Sequence, residues 1–76
     1  MPELTKDELV NLIKERINEE MVGLEVYYGL WNKVHKSNIP RPPKTLIIDT
    51  LNKIIADEEV HISRLEDLIT DIKHFK

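Results

Sequence analysis

The sequence predicts an all-α fold: a two-helix antiparallel hairpin that pairs with a second copy of itself into a four-helix bundle. Three observations carry this. Apolar residues recur at helical spacing along two long stretches. A single proline-rich break, Ser37-Asn38-Ile39-Pro40-Arg41-Pro42-Pro43, separates them. The composition is that of long helices, rich in Ile, Leu, Glu and Lys, with one Trp, two Tyr, one Phe and two Gly.

The first helix is expected over about residues 5–37. Thr5 followed by Glu8 fits a capping box, in which hydroxyl and carboxylate satisfy orphan N–H groups of the first turn. Its inward seam, stepping by four and three, reads Ile13, Ile17, Glu20, Leu24, Tyr27, Trp31, Val34. The turn is expected over about residues 38–43, because proline lacks an N–H and restricts the residue before it. The second helix is expected over about residues 44–75, proline being tolerated in a first turn. Its seam reads Leu51, Ile54, Glu58, His61, Leu65, Leu68, Ile72.

Each helix spans roughly 30 residues, about 45 Å. A short turn folds them back on one another. Both apolar stripes are wide, taking in neighbours such as Tyr27/Tyr28, Ile47/Ile48 and Ile54/Ile55. A wide stripe needs more than one helical neighbour. The 76 residues form one domain, residues 1–76, too short to bury a large core unaided. Without cysteine there is no disulfide, zinc-thiolate site or thiol catalysis. Association, a metal held by oxygen and nitrogen ligands, or both must supply the rest.

Net charge is −3, with acids and bases interspersed. No basic stripe points to nucleic acid, and no cationic amphipathic segment points to a membrane surface. No apolar run approaches the ~20 residues of a spanning helix. Met1-Pro2-Glu3-Leu4-Thr5 lacks the basic-then-apolar pattern of a secretory signal, so a cytoplasmic chain is expected.

Three ionisable residues interrupt the two seams: Glu20, Glu58 and His61. Burying a lone carboxylate is costly unless it is paired, protonated or bound to a metal. Glu58 and His61 are three positions apart, so they share one helix face about one turn apart. Measured from Pro40, Glu20 and Glu58 fall within about one helical turn in height. The three groups therefore converge near mid-helix. Whether Glu19 or Glu20 faces inward is a choice of phase, and the apolar neighbours favour Glu20. The plainer alternative is a salt-bridged, partly exposed Glu58–His61 pair.

A Glu on one helix and Glu58-Glu59-Val60-His61 on the next resembles the ferritin-like di-iron proteins. The single set is similar to the half-ferritins: the encapsulated ferritins and the hairpin repeat of rubrerythrins. Tyr27, seven residues after Glu20, matches a tyrosine common in those families. The resemblance implies a ferroxidase site shared between two subunits, with two iron ions per dimer and O2 as oxidant. Mn or Zn are possible substitutes for the iron. Glu58 would bridge, Glu20 and His61 would ligate terminally, and Tyr27 would hydrogen-bond a ligand carboxylate or act as a local electron source. The implied partners are a second copy of the chain or a larger homo-oligomer.

No shell-targeting tail follows Ile72-Lys73-His74-Phe75-Lys76, so an encapsulin shell is not expected. Two alternatives stand beside the ferroxidase: a rubrerythrin-like, peroxide-reducing di-iron protein, and a non-catalytic helical oligomerisation module. A phosphotransfer hairpin using His61 would require that histidine to be exposed, against its place on the seam. His35 and His74, near helix ends, are assigned no chemistry.

Overall fold

Two helices account for the chain, α1 (Lys6–Lys36) and α2 (Pro43–His74). The structure is a computed structural model and describes residues 3–75. The N-terminal reading at Met1 and Pro2, and Lys76 at the other end, lie outside the described residues. Both helices end within a residue or so of where the sequence places them. The Thr5 hydroxyl accepts from the Glu8 N–H at 3.1 Å, and Asp7 and Glu8 stand in the first turn, favourable to the positive end of the dipole. At the far end of α1 the Ser37 hydroxyl donates to the Val34 carbonyl at 2.6 Å. Lys44 Nζ closes the turn by donating to the Ser37 carbonyl at 2.9 Å. Pro43 opens α2, where its missing N–H costs nothing.

The helices pack antiparallel along their length as a rod of 56 × 18 × 18 Å. Its radius of gyration is 17.5 Å, against about 11 Å for a globule of this length. Among the described residues the buried ones are all aliphatic: Val10, Ile13, Ile17 and Val34 from α1, and Leu51, Ile55, Ile62 and Ile72 from α2. Leu9, Leu24, Leu65 and Ile69 pack partly buried against the cluster of Val10, Ile13, Ile17, Ile62 and Ile72. Neither helix is long and apolar enough to cross a membrane.

The α1 seam is the expected one, extended back to Val10. The α2 seam differs in phase. It runs Leu51, Ile55, Glu58, Ile62, Leu65, Ile69, Ile72, so Ile55, Ile62 and Ile69 take the places expected of Ile54, His61 and Leu68. The cause is stripe width: one helix covers one edge of a wide stripe and leaves the other. The uncovered edge is Ile47, Ile54, His61 and Leu68, at heptad spacing, which drifts by only about 20° per repeat. Ile54 is half-buried, while Ile47, His61 and Leu68 are exposed. On α1, Val22 and Val26 are 62% and 64% exposed. The hairpin thus covers only part of its apolar surface.

Gly23 and Gly29 are not needed for the approach of α2, because a Cβ at either would meet open space. Replacing Ile62 by Ala should cost about 2–4 kcal/mol of stability. Gly29→Ala should instead gain up to about 1 kcal/mol. Urea unfolding at one fixed protein concentration reads both.

Candidate metal centre

Glu20 lies in the α1 seam and Glu58 in the α2 seam, each half-buried, and His61 stands one turn beyond Glu58 on the exposed edge. One carboxylate oxygen from each Glu and a ring nitrogen of His61 lie within 4.8 Å of one another. Donors on a single ion with bonds of about 2.0–2.2 Å stand about 3–3.5 Å apart. Small side-chain rotations would therefore close the set. The expected convergence of the three groups is present. The expected inward position of His61 is not, because Ile62 occupies the seam instead.

The electrostatics follow from placing two acids together. A hydrogen bond to Glu20, then partial burial, then the charge of Glu20 push the Glu58 carboxyl above its ordinary range, while His61 and Arg16 pull it back. In physical terms, ionising a carboxyl beside a second acid is costly, so Glu58 holds its proton more readily than a free carboxyl does. Arg16 supplies positive charge at the rim. Its Nη2 is 3.0 Å from Glu20 Oε1 and its Nη1 is 3.0 Å from Glu19 Oε2. Arg16, Glu20, His61, Arg64 and Leu65 line an open recess of about 290 Å³ beside the cluster. A larger hollow of about 440 Å³ lies between the free ends of the helices, near Lys6, Lys14 and Lys73, with Asp7 its one acid.

Tyr27 is half-buried and, among the described residues, makes no hydrogen bond to Glu20, Glu58 or His61. Its neighbour Tyr28 does hold an acid, donating to Glu59 at 3.1 Å. Partial desolvation first, then the Glu59 contact, raise the Tyr28 hydroxyl above its ordinary range. His35 stacks on Trp31, ring centroids 4.9 Å apart, and takes no part in the cluster. Arg16 is the residue that sequence reasoning missed. The signal was available, since Arg16 precedes Glu19 and Glu20 by three and four positions, the spacings at which helical side chains meet.

The chain matches no protein-family model, and no curated protein and no solved structure is significantly similar to it.

The raised Glu58 carboxyl makes the metal-free hairpin sensitive to pH. With its folded pKa raised, Glu58 contributes stability in full below the unfolded carboxyl value of about 4.5, and that contribution is lost as pH rises through the higher folded value. Melting temperature in a chelator should fall over this window. Glu58→Gln, which cannot ionise, should flatten that part of the profile.

Proposed function

We propose that this chain is one half of a ferritin-like di-metal site, completed by a second copy, and that its activity is oxidation of Fe²⁺ by O2. The observation that carries the reading is the meeting of Glu20, Glu58 and His61, drawn from two helices, within 4.8 Å on a partly uncovered face. Two carboxylates and an imidazole suit Fe²⁺, Mn²⁺ or Zn²⁺ and leave coordination positions for a second subunit or a small molecule. Ile47, Ile54 and Leu68 share the exposed edge with His61, so a partner that covered them would also close over the site.

In this reading iron is the substrate, and two ferrous ions give one electron each to O2, which leaves with two protons as hydrogen peroxide. The protein's part is positional. Glu20 and Glu58 supply the negative charge that draws divalent cations in, and a cation competes with protons for the Glu58 carboxylate. His61 binds through a neutral ring nitrogen. The aliphatic residues on either side of the pair fix the height of the ligands. Tyr27 lies on the same seam about two helical turns from Glu20, as a residue that a second subunit could orient toward the site.

The rival reading is an oligomerisation module. It is favoured by Arg16, which already offsets the Glu20 carboxylate without any metal. Anaerobic Fe²⁺ titration followed by exposure to O2 separates the two. The di-iron reading expects about one iron per chain and rapid oxidation, both lost in Glu58→Ala and His61→Ala. It also expects sedimentation as a dimer or larger assembly. Equal uptake by all three chains, or a well-folded monomer, defeats it.

A further inference from the structure

We propose that Arg16 is the resident counter-cation of the Glu20–Glu58 pair, and that it yields to an incoming metal ion by releasing Glu20 while keeping Glu19. The inference rests on the metal-binding reading above and adds a positioning residue to it.

Arg16 holds both acids at once through different nitrogens, each at 3.0 Å. The two acids sit in different surroundings. The Glu20 side chain is only 12% exposed and belongs to the cluster, whereas the Glu19 side chain is 65% exposed and stands outside it. The Glu20 oxygen that Arg16 grips belongs to a carboxylate the metal would need. A guanidinium beside a divalent cation is also a like-charge contact, so the two compete for one place. Release need not leave Arg16 unpaired, because Glu19 is already bonded to it. Arginine suits this role better than lysine, since its planar fork spans two carboxylates and stays charged at any working pH. Metal-free, the pair of acids is thus held in readiness. Loaded, the guanidinium is parked at the rim of the recess.

The test uses Co²⁺ as a spectroscopic probe on the full chain, with affinity read from its visible absorption and stability read from melting in a chelator. Removing the competitor with Arg16→Gln should tighten Co²⁺ binding about two- to tenfold, the scale of a weak exposed ion pair plus relief of like charge. The metal-free form of the same variant should melt lower. Arg16→Lys should fall between it and the natural chain. Glu19→Gln removes the parking place and should weaken Co²⁺ binding instead. A purely structural role for Arg16 would lower affinity and melting temperature together. If the natural chain takes up Co²⁺ and Arg16→Gln binds it no more tightly, the arginine proposal is overturned and the metal reading stands. If the natural chain takes up none, both fall.

Discussion

Two carboxylates held side by side between two helices require positive charge close to them, and much of the middle of this hairpin follows from that requirement. Glu20 and Glu58 each occupy a seam position whose neighbours on the same helix are Ile, Leu or Tyr. In water they would repel weakly, but half-buried they repel more strongly, because less solvent screens them. Glu58 holds its proton more readily than a free carboxyl, Arg16 offsets the charge of Glu20, and His61 stands within reach of both acids. These are three partial remedies for one problem, and a divalent cation would replace all of them. A stable helix pair has no need of such a problem, since aliphatic residues at the two positions would pack without it.

The second constraint is geometric. One helix has one neighbour here, and it cannot cover a stripe as wide as that on α2. The choice of which edge to bury goes to Ile55, Ile62 and Ile69, branched residues of which Ile62 and Ile69 join the cluster that holds Ile13 and Ile17. The other edge, with Ile54 half-buried and Ile47 and Leu68 exposed, is left for whatever packs next. Apolar area left in water is a standing driving force for association, of order 25 cal/mol per Å². Chemistry and packing therefore point to the same face.

How much was legible in the sequence divides along these lines. The helices, the turn and the Thr5 cap depend on local signals: periodicity, prolines and a hydroxyl three residues before an acid. Such signals do not depend on partners. The pairing of Glu20 with Glu58 was legible because both fall in the seam and equal rise per residue sets them near one height. The position of His61 was not. With Ile54 beside Ile55, and His61 beside Ile62, periodicity allows two phases, and only the position of α1 decides between them. Arg16 escaped for a different reason. A search for residues that interrupt an apolar seam passes over a cation at its margin, although the cation answers the acid one turn away.

The displaced phase of His61 changes what the arrangement means. A histidine in the seam between the two helices would be enclosed by its own chain, and a site built around it could be complete in one copy. On the edge it is available to face outward while remaining close to acids that face inward. A centre whose ligands come partly from the seam and partly from the flank is open on one side, toward the face that also exposes Ile47 and Leu68. Under the proposed function, that is the construction a site shared between subunits would need: enough ligands in one chain to hold a place, and too few to finish it. The same construction would be wasteful in a monomer, where an exposed imidazole and two neighbouring acids would bring nothing in return. What distinguishes the two cases is whether covering the apolar edge and loading the acids happen together, because each would then favour the other by mass action.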